Sequence, residues 1–106
     1  MKRGDLVTVV LPGAYGKPRP ALIVQSDAFA DLESVVIAPL TSTVGRLPLL
    51  RVLISPDETN GLLKPSDIMV DKLSAVPRAK LGLKIGSVSR TTLDSVVLST
   101  RGLLET

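Results

Sequence analysis

Apolar residues fall along this chain in short runs separated by turn-forming residues. Leu6-Val7-Thr8-Val9-Val10-Leu11 is rich in β-branched side chains, and Ala21-Leu22-Ile23-Val24 is apolar without a break. Such runs mark strands covered on both faces. They predict strands over 6–11 and 20–25. A third strand over 34–38 runs on into Pro39-Leu40-Thr41-Ser42-Thr43, and further strands fall at 49–54 and 68–70. Leu73, Ala75 and Val76 are interspersed with polar residues up to Pro77, and 78–86 reads as a short helical turn followed by a closing strand. Gly and Pro clusters at 12–18, 45–48 and 55–61 punctuate the runs, with Asn60-Gly61 a strong tight-turn signal. Phe29 is expected to return to the core from a polar turn, and Arg51 to sit on the solvent side of its strand.

One segment has helical spacing. Leu93, Val96, Val97, Thr100, Leu103 and Leu104 line one face of a helix over 90–104, with Ser89 as its N-cap. That stripe is expected to pack on the sheet. Short strands with Gly/Pro turns and one terminal helix predict a mainly β fold, a small and partly open barrel in a single domain over 1–106.

The stretch that carries chemistry is Gly16-Lys17-Pro18-Arg19-Pro20. Each proline fixes φ near −65° and lacks an N–H, so Arg19 is held extended at the start of a buried strand. A guanidinium presented this way suits a phosphate; it could equally be a surface arginine paired with a carboxylate. The glycine-containing loop before it is a candidate flap. Thr41, Ser42 and Thr43 can donate to an anion or cap their own turn. Asp71 ends a strand beside Lys72, with which a surface carboxylate would ordinarily pair.

Composition removes whole classes of mechanism. The chain has no Cys and no His, which excludes disulfides, thiolate metal sites, a cysteine nucleophile and the usual general base. Acid and base chemistry is left to Arg, Lys, Asp, Glu, Tyr, Ser and Thr. Tyr15 and Phe29 are the two aromatics, too few for a sheet that stacks several bases or for a groove that binds proline-rich peptides. The 13 basic residues against 10 acidic ones leave a net charge of +3, compatible with a polyanionic partner. Met1-Lys2-Arg3-Gly4-Asp5 leads into an apolar run shorter than that of a secretory leader, and no run could span a membrane. A cytoplasmic protein is expected.

Together these segments resemble the MazF/PemK (Kid) family of toxin endoribonucleases. The resemblance covers nearly the whole chain. It rests on Lys2-Arg3-Gly4-Asp5-Leu6-Val7, the Gly-rich loop, Arg19-Pro20-Ala21-Leu22-Ile23-Val24 and Ala38-Pro39-Leu40-Thr41-Ser42. Asp71 after an apolar strand, Ile85-Gly86-Ser87-Val88-Ser89 and the C-terminal helix add to it.

The resemblance implies an SH3-like (CcdB-like) barrel of five to seven strands with a C-terminal helix. It implies the toxin of a type II toxin–antitoxin system: a homodimer that cleaves single-stranded RNA such as mRNA at specific sequences, without a metal or cofactor. The products would be a 2′,3′-cyclic phosphate and a 5′-hydroxyl, and translation and growth would be inhibited. A cognate antitoxin would cover the RNA groove. By position, Arg19 matches the arginine that acts at the scissile phosphate, Thr41 the active-site threonine and Asp71 an acid that some members use as base. Ser42 matches the adjacent hydroxyl, an RNA contact. Tyr15, Lys17, Lys72, Arg78 and Lys80 are further candidates for RNA binding, and Lys84 for a phosphate contact.

Two departures from the family pattern stand out. Met69 occupies the place where some members carry a second arginine, and the loop ahead of Arg19 lacks the common Glu-Gln pair. Two rival readings remain in view. One is a CcdB-like toxin that binds gyrase, which would rely on a C-terminal Trp that this chain lacks. The other is an inactive homologue that only binds its antitoxin.

Overall fold

The structure is a computed structural model and describes residues 1–12 and 16–105. The tip of the loop ahead of Arg19, including Tyr15, lies outside the described residues. Seven strands are present among those described: β1 (Asp5–Val9), β2 (Arg19–Ile23), β3 (Ser34–Thr41), β4 (Arg51–Ile54), β5 (Ser66–Met69), β6 (Ser74–Pro77) and β7 (Leu81–Ser87). The helix α1 (Arg90–Leu104) follows. The strand order is β4-β5-β3-β2-β1-β7, with β6 also paired to β3, and every pairing is antiparallel. β4 and β7 are the two ends of this path, so the barrel is open, as the short strands predicted.

Registers explain why β1, β2 and β3 are apolar at consecutive positions. Leu6 pairs with Leu22, and Leu22 with Ala38; all three point into a core shared with Ile68, Val70 and the helix. Their neighbours Val7, Ala21, Ile23 and Ile37 point the other way, into a second core with Val35 and Val76. Successive side chains of a strand face opposite sides, so two cores require two buried faces.

β3 is the pivot. One edge pairs with β2 through Ile37, Ala38 and Pro39. The other pairs with β6 through residues 34–37 and then with β5 through Leu40 and Thr41. Pro39 falls in the gap between those two ladders on the second edge. A residue without an N–H fits such a gap within a strand.

Three expectations change. The apolar stripe of α1 is only partly covered: Leu93 and Val96 are buried, while Val97, Leu103 and Leu104 are exposed. The helix touches β4 and the turn after β5. Phe29 is exposed rather than returned to the core, because a one-turn 3-10 helix (Asp27–Phe29) turns its ring outward. β4 starts at Arg51 and not at 49, because residues 48–50 form a turn closed by Leu50 N donating to Leu47 O at 3.0 Å. Ser89 caps α1 as predicted, its hydroxyl accepting from Thr92 N at 3.1 Å. No helix among the described residues is long and apolar enough to cross a membrane.

Candidate active site

Arg19 opens β2, opposite Val9 of β1, with Pro18 and Pro20 on either side. It is exposed and makes no ion pair among the described residues. It borders a cleft of about 470 Å³ with Pro20, Leu40, Ser42, Leu63 and Lys64 among the lining residues. The strand places Ser42 there. Leu40 and Ser42 lie two positions apart and both line the cleft, whereas Thr41 points to the other side.

Thr41 acts on the loop that carries Ser42. Its Oγ1 accepts from Thr43 N at 3.1 Å. Across from it on β5, the buried Asp67 accepts from Gly45 N through Oδ2 at 2.9 Å. The segment after β3 is therefore pinned twice, and Gly45 takes the positive φ of +84° needed to close it. Of the two adjacent hydroxyls, Ser42 faces the cleft and Thr41 holds the loop.

The opposite wall is a turn that the sequence marked only as a turn. Asn60 is 2% exposed and its side chain makes three hydrogen bonds. Oδ1 accepts from Asp57 N at 3.2 Å and from Leu62 N at 3.0 Å, and Nδ2 donates to Ser55 O at 2.8 Å. Asp57 in turn accepts from Thr59 N and Asn60 N, each at 2.8 Å, which holds its carboxyl below the usual range. The turn lies flat on β7: Ser87 N donates to Thr59 O at 2.9 Å. A Cβ at Gly61 would strike Ile85 O, and one at Gly86 would strike the backbone of residues 59 and 60. These two glycines make the approach possible and bring Leu62, Leu63 and Lys64 to the cleft. Sequence reading missed Leu63 and Lys64. The available signal was the Asn60-Gly61 pair together with Gly86, but nothing in the sequence says that these glycines meet.

Asp71 lies elsewhere. It sits in the single 3-10 turn after β5 (Val70–Lys72) and is not among the residues lining the cleft. Both its oxygens accept from Arg51, Oδ1 from Nε at 3.1 Å and Oδ2 from Nη2 at 3.2 Å. Arg51 is therefore not on the solvent side, since its side chain is only 12% exposed. Nor is Lys72 the partner of Asp71. Arg51 pairs with Met69 in the β4–β5 register, which sets its guanidinium beside the turn that follows Met69. The hydrogen bonds from Arg51 hold the Asp71 carboxyl below the usual aspartate range and raise the guanidinium in return.

The remaining expected RNA contacts are scattered. Lys17, Lys72 and Lys80 are exposed, and none lines the cleft. The Arg78 guanidinium is spent on backbone carbonyls, donating to Leu32 O at 2.7 Å and Phe29 O at 3.4 Å. Lys84 pairs with the buried Asp5 at 3.3 Å.

An exposed arginine and a hydroxyl in one cleft of an open antiparallel barrel can be weighed against known proteins. Residues 2–101 match the family model described as PemK-like, MazF-like toxin of type II toxin–antitoxin system. The chain belongs to this family. A curated relative, probable endoribonuclease MazF of Mycolicibacterium smegmatis, is 43% identical over 94 residues, covering 88% of this chain and 86% of the relative. Solved structures agree on the fold. The Mycobacterium tuberculosis toxin MazF-mt6 superposes with a TM-score of 0.77 at 27% identity, covering 94% of each chain. An endoribonuclease in complex with its cognate antitoxin, from a mycobacterial species, superposes at 0.80 with 23% identity, covering 98% of this chain and 94% of the other.

Proposed function

We propose that this toxin is a sequence-specific, metal-independent endoribonuclease that cuts single-stranded RNA, mRNA included, in the cytoplasm, working as one domain over the whole chain. The observation that carries the reading is the shared cleft of Arg19 and Ser42, with Arg19 free of any ion pair among the described residues. Cleavage starts when the 2′-oxygen attacks the adjacent phosphorus. Arg19 stabilises the charge that builds on the phosphorane, where a preorganised cation counts most. Ser42 donates to a non-bridging oxygen, and Thr41 keeps that donor in place through the loop. The products are a 2′,3′-cyclic phosphate and a 5′-hydroxyl. Asp71 holds Arg51 in this arrangement; service as the base requires that pair to open. Lys17, Lys72 and Lys80 add phosphate contacts beyond the cleft, with Tyr15 on the loop before Arg19.

Two partners accompany this reading. A homodimer is supported by a large apolar groove of about 860 Å³ between residues 47–50 and the second half of α1, where Leu49 is 87% exposed and Leu98 69%. Exposed apolar surface on this scale marks an interaction site. A cognate antitoxin is supported by the solved relative that holds one. An acidic segment of it would neutralise the free cations of the cleft.

The test is cleavage of a long single-stranded RNA in EDTA with mapped product ends, alongside Arg19→Ala. Sequence-selective cuts with 5′-hydroxyl ends, lost in the variant, support the proposal. RNA binding without any cutting identifies an inactive homologue instead.

A further inference from the structure

Expulsion of the 5′-oxygen requires a proton donor, and the lining of the cleft offers few. Ser66 is buried and its hydroxyl donates to Lys64 O at 3.1 Å. Ser42 is a neutral hydroxyl, far too weak an acid. Arg19 carries a charge delocalised over its guanidinium, which gives up a proton much less readily than the ammonium of a lysine does. Lys64 is the fourth donor.

Four of the chain's 13 basic residues are ion-paired among the described residues. Arg51 is neutralised by Asp71, Lys84 by Asp5, Arg90 by Asp94 and Arg101 by Glu105. Lys64 makes no ion pair among the described residues and shares its cleft with Arg19, likewise unpaired. Two like charges in one cleft repel each other until an anion enters. The backbone beneath Lys64 is held on both sides: Asn60 fixes Leu62 N at 3.0 Å, and Ser66 Oγ binds the Lys64 carbonyl. Pro65 follows it directly and restricts its φ and ψ. The turn is rigid while the side chain reaches into an open cleft.

We infer that Lys64 is the general acid of the cleavage, an inference that rests on the nuclease reading above. The bond between the 2′-oxygen and phosphorus forms and the bond between phosphorus and the 5′-oxygen breaks. The 2′-hydroxyl proton leaves to water in the open cleft. Lys64 Nζ gives one proton to the departing 5′-oxygen and is left a neutral amine, which solvent reprotonates. Arg19 keeps its protons and stabilises charge throughout.

A leaving group that needs no proton separates this role from simple phosphate binding. Two RNA oligonucleotides bearing a site mapped for the wild type are compared, one natural and one with sulfur replacing the 5′-oxygen at the scissile linkage. Single-turnover rates are measured for the wild type, Lys64→Gln, Lys64→Arg and Arg19→Ala. Lys64→Gln is expected to slow cleavage of the oxygen substrate about 10²–10³-fold and to stay within about threefold of wild type on the sulfur substrate. Lys64→Arg restores KM but not the rate on oxygen. Arg19→Ala is slow on both. Equal slowing by Lys64→Gln on both substrates would make Lys64 a binding residue only and overturn the inference. An unchanged rate on the oxygen substrate also overturns it. A wild-type toxin that yields no mapped site in any RNA overturns the nuclease reading and this inference with it. Lys64 is exposed, so its substitution leaves the fold intact, checked by an unchanged melting curve.

Discussion

Arg51 and Asp71 form a two-pronged ion pair, Nε to Oδ1 at 3.1 Å and Nη2 to Oδ2 at 3.2 Å, that ties the start of β4 to the turn after β5. The side chains are 12% and 17% exposed, so solvent screens the pair less than one on the open surface. The pair should show up in the acid stability of the toxin. Asp71 titrates below its ordinary value of 3.8 because Arg51 donates to it. Its contribution is therefore fully present above that value and is lost as pH falls through the depressed folded pKa. In urea melts taken from neutral pH down to about pH 2.5, the midpoint should fall most steeply below about pH 4. Asp71→Asn should flatten that acid limb and lower the neutral Tm by roughly 5 °C.

Arg19, Ser42 and Thr41 should separate kinetically. Arg19→Ala should reduce kcat by about 10²–10³, the usual loss of one preorganised donor to a charged transition state. Ser42→Ala removes a neutral donor and should cost less, about tenfold. Thr41→Ser keeps an oxygen that accepts from Thr43 N and should retain most of the rate, whereas Thr41→Val should lose it. Single-turnover cleavage of one mapped RNA, with KM measured in parallel, distinguishes these outcomes. Equal rates for Thr41→Ser and Thr41→Val would remove the loop-holding role.

The turn that presents Lys64 depends on one buried amide. Asn60→Ala leaves the N–H groups of Asp57 and Leu62 and the carbonyl of Ser55 without this partner, and should cost roughly 3 kcal/mol of folding free energy. Gly61→Ala places a methyl against Ile85 O at a φ of +68° and should cost at least as much. Denaturant melts measure both. A Gly61→Ala toxin as stable as wild type would mean that the turn does not lie on β7 in solution.

The apolar groove beside α1 should close in a dimer. Leu98→Asp and Leu49→Asp place a charge on surface that the isolated chain leaves exposed, so neither should disturb the fold of one subunit. Both should shift the mass in sedimentation equilibrium from dimer to monomer. A dimer that persists in both variants would move the interface to another face.

Sequence by itself determined most of the elements and the burial of the central strands. Apolar residues fall on both faces of the strands at Leu6–Val9 and Ala21–Val24, so these strands had to be buried on both sides. Ser89 and the helical spacing from Leu93 onward bounded α1, because an N-cap and a 3.6-residue period are local properties. Arg19 was legible for the same reason: the two prolines beside it restrict the backbone wherever the rest of the chain goes. Tertiary structure alone decided which residues share a site. Asp71 stands one residue from Lys72 but pairs with Arg51, twenty residues away, because the β4–β5 register sets Arg51 opposite Met69. Lys64 reaches the cleft of Arg19 only because Gly61 and Gly86 let a turn and β7 approach without a Cβ between them. Pairing register and close backbone approach are long-range, and no local pattern of residue types encodes them.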